Sequence, residues 1–586
     1  MVNSKSMRKL FHLAVLALLL SSCSSRTPSP AADYPYSDQL QWWQEARYGM
    51  FIHWGLSSLT GQEISWSRNG YGPERYDALS ERFNPVGFDA DKWIDVAEAA
   101  GMKYMVLTSK HHDGFSLWDS KANPHNIMKT PYGKDICRQL ADACHRRGMR
   151  LGWYFSCREW NDENCCTDGR TGIYVEKMKA ELTELLTNYG KIDLLWFDFD
   201  GWPSPAQPKE IVDLIRSLQP DIIFNNRLYP FNPCESHACV GDFGMYCTPE
   251  QFVGGYGEIP WETCSTMSTS RQWALRYNDP PRPAEDLAWE TVGAVAGNGN
   301  MLMNVAPDSL GIIPPAYADR LAEVGSWISA HEGILYGTKC GPWKPTGKYV
   351  STTDGNGVWL LLREGADMDI PYENSLKIKK ITSDNGADVP FSVEGGKLHL
   401  DIPAALEGKR NVALRVNMPV PGDGGFTPLE PFGTSGSVAY NKPASASSAL
   451  SMTYMHNPAA AFDDNPGTAW VVGRVEGDYP STLYGRYEHY RNSEAILKAY
   501  ESDATLSVDL GESKDIVRCY LRARGSWESA SLEYKSGDSW VEAAVIAPFN
   551  SEYEAEVPSV KAREWRLSLH KCTIESGVSE FQLFEK

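Results

Sequence analysis

Lys103-Tyr104-Met105-Val106-Leu107-Thr108 is a short apolar run, and Arg150-Leu151-Gly152-Trp153-Tyr154-Phe155 is another. Between them Lys134–Arg147 has helical texture and stops at Gly148. A glycine there suits the left-handed residue that ends a helix. Apolar runs with so little alternation suit strands covered on both faces, as in parallel sheets. The same unit recurs on either side. Tyr48–Trp54 reads as an earlier strand, followed by a helix over Asp89–Ala100 that Gly101 ends. Ile192–Phe197 and Ile222–Phe224 read as later strands. Ahead of Ile192, Met178, Leu182, Leu185, Leu186 and Tyr189 fall on one helical face. Pro208 opens a further helix and Pro220 closes it. Strand–helix alternation sustained over roughly 300 residues predicts an α/β fold, a (β/α)8-like TIM barrel. It is assigned to residues 35–336.

The texture changes after Gly333. Tyr349–Leu362, Leu376–Ile381 and Lys397–Ile402 are strand-like runs between Gly, Asn and Asp turns, which predicts a β-sandwich over residues 337–420. Pro and Gly crowd the next stretch, a linker over 421–435, and a second β-domain runs over 436–586. The chain's 586 residues suit such a division.

The N-terminus has a different character. Lys5, Arg8 and Lys9 precede an apolar stretch from Leu10 to Leu20, too short to span a bilayer comfortably. Leu20-Ser21-Ser22-Cys23 follows and resembles a bacterial lipoprotein signal. Residues 1–22 are therefore expected to be a signal peptide, Cys23 the lipidated residue and 23–34 a tether. The expected location is the bacterial periplasm or the outer membrane, with membrane attachment only through acyl chains. A net charge of −19 with no Lys/Arg cluster in the body of the chain argues against nucleic-acid partners. The remaining cysteines have no disulfide-framework spacing and no C-x-x-C pair. Cys165-Cys166 and the group Cys234, Cys239, Cys247 near His237 read as thiols or pairs, not as a zinc site.

A parallel barrel builds its site at the C-terminal ends of its strands. Four predicted strands run into polar or aromatic residues there: His53-Trp54, Lys110-His111-His112-Asp113, Tyr154, and Trp196-Phe197-Asp198. Aromatic rings (Trp54, Trp66, Trp196, Tyr154) beside hydroxyl-binding groups suit a sugar. Zinc on His53, His111, His112 and Asp198 is the competing reading. Adjacent His111 and His112 are expected to diverge on extended chain, and no HxH or HExxH spacing occurs, which weakens it. Glycoside hydrolysis needs one ionised and one protonated carboxyl. Asp198 ends an apolar strand, with Asp200 as its competitor two residues on. For the second carboxyl, Glu262 has Trp261 as an apolar neighbour that would raise its pKa; Glu258, Glu250 and Asp242 stay open.

Tyr48–Gly55, Ala100–Tyr104, Thr108–Phe115 and Leu195–Asp198 resemble segments of glycoside hydrolase family 29, the α-L-fucosidases. Trp261-Glu262-Thr263-Cys264, Gly299–Val305 with Pro307, and Ile313-Pro314 are similar to further motifs of that family. The resemblance spans about residues 35–420 and implies a cofactor-free retaining hydrolase acting on fucosylated oligosaccharides or glycoconjugates. It implies Asp198 as nucleophile, Glu262 as acid/base, and His53, Trp66, His111, His112, Tyr154 and Trp196 as fucose-binding residues. Two departures stand out: an extra Phe199-Asp200 after the nucleophile, and Cys247 where the family often has arginine before Thr248-Pro249-Glu250. Residues 436–586 resemble a discoidin-like (F5/8 type C) domain in Asn441–Ser445, Ala461–Asp464, Thr468–Trp470 and Ser507–Gly511. Such domains often bind glycans and some hold a structural calcium; bracing the barrel is the plainer role. The competing functions are an α-L-galactosidase-like relative and a catalytically inactive glycan-binding lipoprotein.

Overall fold

The computed structural model describes residues 37–165, 170–198, 206–228, 244–251, 255–257, 259–422, 424–433, 435–449, 457–464, 468–472, 502–525, 527–547, 551–572 and 576–586. The signal peptide, Cys23 and its tether lie outside the described residues, as do Cys166, Asp200, Asp242, Glu258 and the group Cys234, His237, Cys239. No described helix is long and apolar enough to cross a membrane.

Seven parallel strands form one curled sheet: β1 Tyr48–Ile52, β2 Tyr104–Lys110, β3 Arg150–Ser156, β4 Leu194–Asp198, β5 Ile223–Phe224, β6 Trp261–Thr266 and β7 Gly299–Val305. Their order is β5-β4-β3-β2-β1-β7-β6. Residues 244–251 bridge the two edge strands. Asn225 pairs with Tyr246 on one side, and Cys247 and Glu250 pair with Trp261 and Cys264 on the other. All five expected strands agree within two residues at each end; β1 stops at Ile52, two residues short of Trp54. Strands β6 and β7 carry no such apolar run. Glu262, Thr263, Ser265, Thr266, Asn300 and Asn304 are all buried in them, so their inward faces are polar.

The helices between strands start and stop where the sequence places caps. Helix α1 (Ser37–Ala46) precedes β1. Helix α2 (Ala90–Ala99) opens with the Asp89 carboxylate accepting from the Asp91 and Lys92 amides, and Gly101 follows at φ 82°. Helix α3 (Ile136–Arg147) opens on Asp135 and ends at Gly148, whose φ of 72° favours glycine. Helices α4 (Thr171–Thr187), α5 (Ala206–Leu218), α6 (Ala284–Ala296) and α7 (Pro315–Ala330) complete the layer.

One buried ion network ties the strand ends to that layer. Lys110 Nζ lies 2.9 Å from Glu159 Oε2 and 2.5 Å from Glu181 Oε2 on α4, and all three side chains are buried. Lys177 reaches Glu159 and Asp162 at 2.6 and 2.9 Å, so the loop after β3 is held from two sides. Replacing Lys110 by methionine would leave the buried Glu181 without its ion-pair partner and Glu159 with Lys177 alone. Breaking a buried pair in this way typically costs about 3–5 kcal/mol. The expected result for Lys110→Met is a loss of that size in urea denaturation; a loss under 1 kcal/mol would refute the network's role.

Beyond the curled sheet, a five-stranded antiparallel sheet and a three-stranded one share a core that includes Trp343, Leu360, Leu398, Leu400 and Leu414. The expected run Tyr349–Leu362 is a hairpin, β8 Tyr349–Thr353 and β9 Val358–Glu364, turning over Asp354–Gly357. Residues from 444 onward contribute a third antiparallel sheet dominated by two long strands, Ser502–Arg524 and Glu552–Cys572, over a core containing Trp470, Trp565 and Phe581.

Candidate active site

Side chains alternate along a strand, so Trp196 and Asp198 of β4 turn to the same concave side, as do Tyr154 and Ser156 of β3. Asp198 is the last residue of its strand. Its Oδ1 accepts from Arg227 Nη1 at 2.7 Å and its Oδ2 from the Tyr154 hydroxyl at 2.7 Å. Burial alone would raise the Asp198 carboxyl; the Arg227 charge, His112 and the two hydrogen bonds outweigh it and hold the group below its ordinary range. The residue is a fixed carboxylate at neutral pH. Asn225, just past β5, pins this strand end by exchanging two hydrogen bonds of 2.9 Å with the Phe197 backbone.

Three histidines surround it in neutral form. Asn304 Nδ2 donates to the Trp273 carbonyl, so its Oδ1 is the acceptor and the His53 Nδ1–H donates to it at 2.7 Å. Ser156 Oγ donates to the Arg158 carbonyl and accepts from His112 Nδ1–H at 2.7 Å. That tautomer turns the acceptor Nε2 of His112 toward Asp198 Oδ2, 3.6 Å away. His111 Nδ1 meets Ser65 Oγ, and its ring stacks on Tyr154 at 5.2 Å and 4°. Burial pushes His53 and His112 each down to about 4 and His111 well below its ordinary range. Uncharged rings with fixed tautomers can read the donor and acceptor pattern of sugar hydroxyls.

The adjacent histidines do not diverge. Strand β2 ends at Lys110, and His111–Gly114 is a turn closed by the Gly114 amide on the His111 carbonyl, with Gly114 at φ 78°. The two rings lie 4.1 Å apart and face one cavity. Ligand atoms of His111, His112 and Asp198 come within 4.8 Å of one another, so the metal reading recovers three of its four residues. Arg227 already occupies the carboxylate, however, and a fixed cation there opposes a second one.

Of the residues implied as fucose-binding, His53, His111, His112, Tyr154 and Trp66 cluster through ring contacts beside Asp198, and Trp196 lies under Tyr154. Trp66 meets His112 edge-on at 5.6 Å, and Trp196 stacks beneath Tyr154 at 5.6 Å. Trp54 lines a small pocket with His53 and His111, while its ring packs among Phe83, Phe88 and Trp93 and its Nε1 donates to the Asp308 carbonyl. Two aromatic walls were unanticipated. Trp160 lies 4.8 Å from Trp66, and Trp273 lies 5.0 Å from His53. Glu63 secures the Trp273 loop by accepting its amide at 2.8 Å, and burial raises that carboxyl to about 7.

Arg227 was also unforeseen, although it stands three residues beyond β5, where the strand-end rule points. The Arg227 guanidinium lies 4.4 Å over the Trp196 ring and donates to Thr248 as well as to Asp198 and Glu250. Its Nη1 is 2.7 Å from Asp198 and 2.8 Å from Glu250. One shared nitrogen keeps those two oxygens within about 5.5 Å of each other.

Glu262 is elsewhere. It is the second residue of β6, fully buried, and its carboxylate accepts from Trp43 Nε1 on α1 and the Tyr104 hydroxyl on one oxygen and from Trp196 Nε1 on the other. Tyr104 begins β2, so Glu262 sits toward the N-terminal end of the curled sheet, beneath Trp196 and away from the strand ends that carry Asp198. Its carboxyl is indeed raised, to about 7, by burial. A group enclosed by three protein donors in the interior does not reach a leaving group at the mouth, and the acid/base assignment to Glu262 is withdrawn on that ground.

A carboxylate fixed by arginine and tyrosine, neutral histidines and aromatic walls in one cavity define a glycoside hydrolase. The family model for α-L-fucosidase matches residues 24–333, more than half of the chain, and the chain belongs to that family. An α-L-fucosidase from Dictyostelium discoideum is 26% identical over 71% of this chain and 97% of its own length. The human tissue α-L-fucosidase is 29% identical over 60% of this chain and 82% of its own. Among solved structures, α-L-fucosidase isoenzyme 1 from Paenibacillus thiaminolyticus has 30% identity and a TM-score of 0.58, covering 65% of this chain and 99% of its own.

Proposed function

We propose that this α-L-fucosidase removes terminal α-L-fucosyl residues from glycans by double displacement, on a curled sheet that reads as a (β/α)8-like barrel with 244–251 in the eighth strand position. The observation that carries the mechanism is Asp198, held ionised at a strand end by Arg227 and Tyr154. Asp198 attacks the anomeric carbon, forming a glycosyl ester as the glycosidic oxygen takes a proton and departs. Water, deprotonated by the same acid/base group, then cleaves the ester. That group is a carboxyl of the segment 242–258. Glu250, beside Asp198 on the shared arginine, is its described candidate, with Glu258 and Asp242 in the same segment. Neutral His53, His111 and His112 bind hydroxyls, and the Trp66, Trp160 and Trp273 rings face apolar sugar edges.

The surrounding assignments follow the sequence: a lipoprotein anchored through Cys23 and displayed from the cell envelope, a β-sandwich over 337–420, and a discoidin-like module over 436–586 that binds glycan or braces the enzyme. The test of the function is hydrolysis by the full chain of aryl α-L-fucoside against aryl α-L-galactoside. A pocket closing on the C6 methyl is expected to prefer the fucoside by roughly 10–200-fold in kcat/KM. Preference for the galactoside would shift the specificity and leave the mechanism in place; turnover of neither would refute the hydrolase reading. Among Glu250→Gln, Glu258→Gln and Asp242→Asn, one alone should lose activity on poor leaving groups, while its turnover of substrates with good leaving groups should recover with azide, giving the α-fucosyl azide.

A further inference from the structure

Glu262 lies outside the cavity, yet it is joined to the nucleophile by contacts that leave little freedom. Its Oε1 accepts from Trp196 Nε1 at 3.1 Å. The Trp196 indole then supports both groups that hold Asp198: Tyr154 stacks on it at 17°, and the Arg227 guanidinium lies over its ring. On the far side, Glu262 Oε2 accepts from Trp43 Nε1 at 3.1 Å and from Tyr104. Phe51, from β1, closes against Trp196 at 5.0 Å and against Tyr154 at 5.9 Å. The indole can rotate or slide only by breaking the N–H bond to Glu262, and any such shift moves the seats of Tyr154 and Arg227.

We infer that Glu262 is a positioning residue: by holding Trp196 it sets where Tyr154 and Arg227 place the Asp198 carboxylate. The inference rests on the reading of Asp198 as nucleophile. A carboxylate suits the role chemically. Three donors from three different elements converge on two oxygens, and each oxygen has lone pairs to accept them. An amide cannot replace it, because its NH2 must face one of those donors, losing a bond and setting donor against donor. The chain of contacts also links α1, through Trp43, to a reaction at the opposite end of the sheet.

The experiment is covalent labelling of the full chain by 2-fluoro-fucosyl fluoride. Fluoride departs without a proton from the enzyme's acid, so the labelling rate reports nucleophile placement and not proton donation. Glu262→Gln is expected to label Asp198 about tenfold more slowly than wild type, with kcat on an aryl fucoside falling in parallel and KM changing less than threefold. Adding Glu262→Gln to Trp196→Phe, which lacks the indole N–H, should cost little more than Trp196→Phe alone. Trp43→Phe removes one donor from outside the sheet and covers the case in which Glu262→Gln fails to fold; it should slow labelling about two- to fivefold. Labelling at the wild-type rate in a folded Glu262→Gln, or in Trp43→Phe where that variant stands in, overturns the inference. So does azide rescue of Glu262→Gln on good leaving groups that yields the α-fucosyl azide, which would make Glu262 the acid/base. Label on a carboxyl other than Asp198 in the wild type overturns the nucleophile assignment, and this inference with it.

Discussion

Asp198→Ala is expected to lower kcat/KM on an aryl α-L-fucoside by on the order of 10^4-fold or more, as removal of a covalent nucleophile does elsewhere. The variant keeps Arg227, Tyr154 and the histidines, so binding should persist and the loss should fall on kcat. Fold should persist too, because Arg227 retains Glu250 and Thr248 as partners. Azide fits the space vacated by the carboxylate. It should restore turnover and give the β-fucosyl azide, because attack comes from the nucleophile's face. An acid/base variant rescued by azide gives the α product instead, since azide there opens an intact glycosyl-enzyme. Product stereochemistry therefore separates the two roles within one assay. Asp200→Ala should retain most activity. If Asp198→Ala keeps more than about one per cent of the wild-type rate while Asp200→Ala loses it, the nucleophile is Asp200, and the reading of β4 as ending in the reactive group fails.

The sequence displayed the parts of this fold that are apolar throughout and concealed the parts that are polar inside. Strands β2 and β3 are legible because Tyr104–Leu107 and Leu151–Phe155 are buried apolar runs. Strands β6 and β7 are equally buried, but Glu262, Ser265, Asn300 and Asn304 interrupt them, and each finds a hydrogen-bond partner distant in sequence. No local periodicity records such a partner. The histidine pair illustrates the same limit. Spacing alone placed the rings on opposite sides, whereas the turn that begins after Lys110 brings them together.

Glu262 is the instructive error. Reasoning from Trp261 to a raised carboxyl leads to the right chemistry, since burial does raise the group to about 7. Trp261 is not the cause; its Nε1 donates to the Gly297 carbonyl, away from the carboxylate. Burial acts alike at both ends of a strand, so a raised pKa does not say whether a carboxyl faces the mouth or the base. Position within the strand does. Glu262 is second in β6 and Asp198 last in β4, and the rule that puts chemistry at C-terminal ends selects Asp198 and rejects Glu262 once the strand bounds are known. Applied to the end of β5, the same rule reaches Arg227.

Arg227→Met is expected to weaken both stability and catalysis, for one reason. The guanidinium is buried, and it is the cation facing Asp198 Oδ1. Removing one partner of a buried pair typically costs about 3–5 kcal/mol. Glu250 is 36% exposed and can regain water, so the lower end of that range applies. Without Arg227, the burial that already opposes ionisation of Asp198 has less to counter it, and the carboxyl titrates higher. The acid limb of kcat/KM against pH should therefore move upward in the variant. In the wild type the lowered Asp198 contributes stability at pH values above the ordinary carboxyl range, and that contribution fades as pH falls through its folded-state value. The variant lacks the contribution at every pH. Its Tm deficit should thus be widest near neutrality and shrink in acid. Arg227→Lys keeps a charge but not the fork that also engages Thr248, and should fall between the two. A variant with an unmoved acid limb and a Tm deficit constant across pH would show that Arg227 serves packing on Trp196 and not the charge of the nucleophile.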